Sequence, residues 1–180
     1  MGHVGKGVTY DDSVWIHSTA LLYGLIQLDS QVSIWPNVVM RSEIHRIHIG
    51  QRSNVQDFVM VHVGYAKPTI VGEDCSITHH ATLHGCEIGD RCLIGINATV
   101  MDGVRIGANS IVAGHSIVTE NSVFPENSVI AGVPAKRVKT LDNSASNVAN
   151  AQFYSLNAEH YARGIERLPE DKVREIMAGL

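Results

Sequence analysis

Aliphatic and other core-type residues return at every sixth position along most of this chain. The count runs through Val8, Val14, Ala20, Ile26, Val32, Val38 and Ile44, resumes at Ile49, Val55 and Val61, and continues at Val71, Ile77 and Leu83. It ends with Ile88, Ile94, Val100, Ile106, Val112, Val118, Phe124 and Ile130. Three breaks interrupt it: a one-residue deletion after Ile44, a four-residue insertion after Val61 and a one-residue deletion after Leu83. A helix repeats near 3.6 residues and a strand at 2, so neither alone produces six. A hexapeptide period predicts a parallel β-helix: each hexapeptide is a short strand and a turn, and three make a triangular coil of about 18 residues. Successive coils then stack at roughly the 4.8 Å of paired strands.

Two further positional preferences agree with this reading. The position four after the aliphatic residue is small, as at Ser53, Cys75, Ala81, Cys92, Ala98 and Ser110, which suits a crowded corner. The residue directly after the aliphatic one is often glycine, as at Gly50, Gly72, Gly89, Gly95 and Gly107, where unusual backbone angles are expected. The chain divides into a β-helix over residues 1–140 and a helical tail over residues 141–180, packed on the β-helix or on a neighbouring subunit. In the tail, Val148, Ala151, Tyr154, Ala158, Tyr161 and Ile165 recur at helical spacing, predicting a helix from about Asn147 to Arg167. Pro169 stops it and opens a second short helix, Glu170 to Met177. Lys172 to Leu180 is mixed in charge and reads as a loose end or a contact for a protein partner.

Composition removes several function classes. The net charge is −4, which does not indicate a nucleic-acid or anionic-membrane surface. No apolar run approaches the roughly 18 residues of a membrane span, and Met1 to Tyr10 lacks the apolar core of a signal peptide. Lys6 stands where a myristoylation motif wants Ser or Thr, and no Gly-Lys-Ser/Thr follows the early glycines to make a phosphate loop. Cys75, Cys86 and Cys92 form no CxxC pair. Cys75 and Cys92 fall on the small inward position, so buried reduced thiols and a cytoplasmic location are expected.

The histidines change the picture. Six of the ten lie between His45 and His84. Val61 and Leu83 are three repeats apart, so His62 and His84, which follow them, occupy equivalent outward positions on adjacent coils, about 5 Å apart at the backbone. His45 precedes His62 in the same column and is a rival ligand on spacing alone. A catalytic zinc takes three protein ligands and keeps one position open. His79 lies on a different face, so a second subunit would have to supply it, which predicts a metal at a subunit interface and makes a cyclic trimer natural. Outward histidine ladders without a metal fit the same spacing.

The segments Arg41-Ser42-Glu43, Arg52-Ser53-Asn54-Val55-Gln56-Asp57, Val61-His62 and His79 through His84-Gly85-Cys86-Glu87-Ile88-Gly89 resemble the γ-class carbonic anhydrases and their close relatives among the hexapeptide-repeat proteins. The resemblance extends over about residues 10 to 167. It implies a left-handed parallel β-helix, whereas the general rule for parallel crossovers would give a right-handed one. It implies that His62 and His84 bind a metal from one subunit and His79 from its neighbour in a homotrimer. It further implies that Gln56 hydrogen-bonds the metal-bound water or hydroxide, that Arg41 and Asp57 make polar contacts across the trimer interface, and that Tyr161 on the C-terminal helix approaches the site. The implied cofactor is zinc, with iron or cobalt also suited to imidazole nitrogen, and the implied reaction is reversible hydration of carbon dioxide to bicarbonate.

Two departures weigh on catalysis. The loop Val63-Gly64-Tyr65-Ala66-Lys67-Pro68 carries none of the carboxylates that active relatives use to export a proton, leaving His80 as a candidate shuttle or a plain surface residue. Glu43 stands where relatives usually have Asp, which lengthens the side chain beside Arg41. A metal-stabilised trimer serving as an interaction module is therefore a second reading. A hexapeptide acyltransferase is a third, disfavoured because no long loop covers a pantetheine groove and His115, the other candidate base, lies in an ordinary repeat.

Overall fold

A computed structural model describes the backbone of residues 2–178 and the side chains through Arg174. Three inward columns of aliphatic residues run the length of a triangular prism of about seven coils. One column stacks Leu28, Ile49, Val71, Ile88, Ile106 and Phe124. A second stacks Ile16, Ile34, Val55, Ile77, Ile94, Val112 and Ile130. The third stacks Leu22, Met40, Val61, Leu83, Val100 and Val118. All of these ladders are parallel, and each strand is two or three residues long except the last in the second column, Ser128–Gly132, and Leu21–Leu28 and Val39–Ile49, which run through a corner and join two faces.

The sixfold count needs one correction in its early part. Each hexapeptide buries two residues, two positions apart: Ile26 with Leu28, Val32 with Ile34, and Val38 with Met40 are all at most 2% exposed. In later coils the first of each pair is small, as at Ser53, Cys75, Cys92 and Ser110, so only one aliphatic phase is visible there. In the early coils both positions are apolar, and the count through Val8 to Ile44 follows the wrong one. Ile44 is 61% exposed. The break there is an insertion bulging out between Met40 and Ile49, not a deletion. The repeat glycines also have a different cause from the expected one. Their φ angles are ordinary, but a Cβ on Gly95 would lie 2.5 Å from the Gly114 nitrogen of the next coil. The left-handed backbone positions belong instead to corner residues such as Asn37, Asn97, Asn109 and Asn127, whose short amide side chains tolerate that conformation.

Ser128–Gly132 turns back on itself as an antiparallel pair with Ala135–Thr140. Helix α1, Ser144–Ala162, then runs back across the face of the second column. The Asn147 side chain donates to the carbonyls of Arg91 and Ser110, the Asn150 side-chain oxygen accepts from Ser76, and Ala151 and Ala158 are small enough to lie buried against the coils. The helix ends before the expected Arg167 because Gly164, at φ +75°, follows the cap, and the Gly164 N–H bonds back to the Tyr161 carbonyl. Helix α2 spans Glu170–Ala178. The end of the Lys172 to Leu180 segment lies outside the described residues. No described helix is long and apolar enough to cross a membrane.

Cys75, Cys86 and Cys92 are free and buried. Burial pushes the Cys86 thiol up to about 12 and drives Cys75 upward as well. A thiol reagent at pH 8 is expected to label none of the three until denaturant is added. Because the unfolded thiol ionises near 8.5 while folded Cys86 keeps its proton to about 12, the unfolded state sheds protons first, so stability should fall as pH rises through that window. Denaturant midpoints measured from pH 7 to 10 check the sign.

Candidate metal centre

Arg41, His62 and His84 are paired in register on three successive coils, in the positions directly after Met40, Val61 and Leu83. The parallel ladder therefore sets His62 over His84: His62 Nδ1 lies 3.0 Å from His84 Nε2, with ring centroids 4.9 Å apart. Two nitrogens bound to one tetrahedral zinc at 2.0–2.1 Å sit about 3.3 Å apart, so this pair is already spaced to within a few tenths of an ångström of sharing an ion. The other nitrogen of each ring faces a carboxylate: His62 Nε2 is 2.9 Å from Glu43 Oε2, and His84 Nδ1 is 3.0 Å from Asp102 Oδ1. An ionised carboxylate only accepts, so the outer nitrogens carry the N–H and the two inner ones carry lone pairs. Lone pairs face each other stably only with a positive charge between them, whether a proton or a metal cation.

Glu43 also accepts from Arg41 through its second oxygen. Desolvation raises its carboxyl, but the His62 hydrogen bond and the Arg41 charge outweigh that and hold it below the usual range. The longer glutamate thus keeps its arginine partner and reaches the histidine as well, which resolves the question of its length.

His79 stands on another face, because the ladder pairs Ile77 with Val55 and so places His79 over Asp57. Its Nδ1 is 3.0 Å from Asp57 Oδ2, within the same chain, and its Nε2 is 3.4 Å from the Tyr154 hydroxyl on α1. A cavity of about 760 Å³ opens here, lined by Trp35, Asp57, His79, Tyr154, His160 and Tyr161 among others. Burial, then the Asp57 charge, pushes the Tyr154 phenol up, so it stays a neutral donor. Gln56 is buried and donates from Nε2 to Asn54 Oδ1 at 2.9 Å. Among the described residues no three His, Cys, Asp or Glu side chains are placed to hold one metal ion, so a single chain brings two histidines together and holds the third apart.

His45 is not in the His62 column: Arg41 takes that place, and His45 lies in the inserted segment with Nε2 3.2 Å from the Tyr65 carbonyl oxygen. The spacing argument for His45 fails with the early phase of the repeat. His80 is a left-handed corner residue stacked on Phe58, with rings 4.9 Å apart and 3° from parallel. Tyr161 puts its ring edge-on to Trp15 and Trp35 at 5.7 and 5.2 Å, and the tyrosine hydroxyl that meets a candidate ligand is that of Tyr154. Sequence reasoning did not single out Asp102: Leu83 pairs with Val100, so the repeat count stacks Met101 on His84 and leaves Asp102 one position further on.

A family profile described as bacterial transferase hexapeptide (six repeats) matches residues 85–120. The carnitine operon protein CaiE of Escherichia coli is 34% identical over 131 residues, covering 73% of this chain and 67% of that protein. Gamma carbonic anhydrase 2, mitochondrial, of Arabidopsis thaliana is 29% identical over 181 residues. This chain belongs to the γ-carbonic anhydrase-like hexapeptide-repeat proteins. Its fold is accordingly the left-handed parallel β-helix, and the crystal structure of a hexapeptide transferase family protein from Anaplasma phagocytophilum superposes with a TM-score of 0.82 at 26% identity, over 86% of this chain and 92% of that one. The match with the Arabidopsis γ-carbonic anhydrase covers 93% of this chain and 64% of that protein's length.

Within this γ-carbonic anhydrase-like chain, Tyr161 packs its ring on two tryptophans and also lines the cavity that holds His79. Tyr161→Ala should lower the unfolding free energy by about 1–3 kcal/mol through lost ring contacts, while Tyr161→Phe, which keeps the ring, should stay within about 0.5 kcal/mol. Chemical denaturation of the two variants separates the ring from the hydroxyl.

Proposed function

We propose that this protein is a metal-dependent γ-carbonic anhydrase-like enzyme that interconverts carbon dioxide and bicarbonate at the interfaces of a homotrimer. The observation that carries the reading is the His62–His84 pair, two nitrogens 3.0 Å apart whose outer partners are both carboxylates. Such a pair supplies two ligands and calls for a third, and His79, on another face of the prism, is available to a neighbouring copy. Zinc suits three imidazoles, with iron or cobalt as alternatives. Held by His62, His84 and a neighbouring copy's His79, zinc would supply an activated water as nucleophile for carbon dioxide at neutral pH, as it does in carbonic anhydrases. In this scheme Gln56, its amide pinned by Asn54, orients the nucleophile. Arg41 and Asp57 tie the interface beside the site, and Tyr154, rather than Tyr161, brings a hydroxyl to His79. The three buried thiols fit a reducing cytoplasm.

One observation favours a second reading, a catalytically weak trimer that serves as an interaction module. The loop from residues 63 to 68 holds no carboxylate, and the two acids that face the histidine pair, Glu43 and Asp102, are both engaged with imidazoles and so are not free to carry a proton away.

Stopped-flow carbon dioxide hydration, with metal content and sedimentation measured on the same sample, tests both readings. A trimer with one zinc per subunit and a rate above buffer, lost in His84→Ala, is the expected result. Full occupancy with no rate above buffer in zinc, cobalt and anaerobic iron forms would replace the enzyme reading with the binding one. A trimer without metal would remove the ligand assignment.

A further inference from the structure

Three histidines carry the metal reading, and each has a carboxylate from an adjacent coil on one ring nitrogen. Glu43 lies on His62 at 2.9 Å, Asp57 on His79 at 3.0 Å and Asp102 on His84 at 3.0 Å. The nitrogen taken is not the same in every case. It is Nε2 in His62 but Nδ1 in His79 and His84. We propose that Glu43, Asp57 and Asp102 are positioning residues that select the ligating atom of each histidine: Nδ1 of His62, and Nε2 of His79 and His84. The inference rests on the metal reading for its functional value, but the tautomers themselves are a property of the metal-free chain.

The chemistry follows from what each group can do. A carboxylate accepts and cannot donate, so the nitrogen facing it must bear the hydrogen, and the lone pair is left on the other nitrogen. A ligating histidine whose far N–H is held by a carboxylate has both its ring orientation and its tautomer fixed before the metal arrives. The mixed choice of atoms is forced by the stacking. His62 and His84 project from equivalent positions one coil apart. The carboxylates come from opposite directions, Glu43 from the preceding coil and Asp102 from the following one. The two rings therefore turn opposite nitrogens toward each other and meet as Nδ1 against Nε2 at 3.0 Å.

A second, independent feature shows that the Asp102 contact is built into the backbone. Gly64 and Gly85 lie next to each other on successive coils, and a Cβ added to either would collide with Asp102 Oδ1, the oxygen that holds His84. Two glycines on two coils thus leave a slot that the carboxylate fills. Glu43 is braced differently, by Arg41 on its other oxygen. At His79, the lone pair on Nε2 is met by the neutral Tyr154 hydroxyl at 3.4 Å, the donor that this tautomer requires.

The test is run on the full-length protein, with two readouts. Nitrogen-15 spectra of metal-free protein at about pH 8, where a free imidazole is neutral, report the tautomers directly. The expected pattern is N–H at the outer nitrogens, Nε2 of His62 and Nδ1 of His79 and His84, whether or not a proton is shared between the facing nitrogens of His62 and His84. Zinc dissociation constants from chelator competition then read the consequence: Glu43→Ala and Asp102→Ala should each bind about 10–100-fold more weakly. Asp102→Asn, which keeps an acceptor oxygen in the slot, should retain the tautomer and recover part of the affinity. Gly64→Ala, whose Cβ would meet the Asp102 carboxylate while coming no closer than 3.5 Å to the Gly85 backbone, should reproduce the Asp102→Ala loss. Melting curves confirm that each variant is folded. Wild-type zinc affinity in both alanine variants would overturn the proposal, as would a His62 with no hydrogen on Nε2. A wild-type protein that binds no zinc overturns the metal reading instead, and the tautomers still decide this one.

Discussion

Parallel stacking of one coil on the next is the constraint from which everything else in this molecule follows. Main-chain hydrogen bonds hold successive coils at the spacing of paired strands, so a residue's neighbour above and below is set by counting. Aliphatic side chains fall into three internal columns for this reason, and so do the corner asparagines on the outside. The same ladder places His62 over His84 and His79 over Asp57. A chemical site here is therefore a vertical slice through several coils, drawing residues far apart in sequence into one column.

That constraint explains what could and could not be read from the chain. The repeat, the inward small positions, the buried thiols and the pairing of His62 with His84 all depend only on phase, and all were legible. The early phase was not, because Val32 and Ile34, or Val38 and Met40, offer two equally apolar choices, and the error carried His45 into a column that Arg41 occupies. Glycine spacing was visible, but its cause was not, since crowding between coils leaves no mark distinct from backbone freedom. Tyr154 was read as one of a helical stripe. Its approach to His79 depends on where α1 lies on the prism, which amphipathic spacing leaves open.

The same slice shows how charge is arranged around the histidines. Glu43 sits between Arg41 and His62, Asp102 fills a slot left by Gly64 and Gly85, and Asp57 backs His79. Each carboxylate is engaged with an imidazole, which favours ordering of the rings over proton traffic. The same contacts that order the rings occupy the carboxylates that face them.

Helix α1 has a further consequence for how the molecule holds together. A bare solenoid couples each coil only to its immediate neighbours, so it can fray from either end one rung at a time. Here one helix touches Arg91 and Ser110 through Asn147, Ser76 through Asn150, Trp35 and His79 through Tyr154, and Trp15 through Tyr161. It works as a splint laid across the rungs. Peeling the first coil away means lifting the splint from the others as well, and a stack that would otherwise melt in steps becomes a single cooperative body.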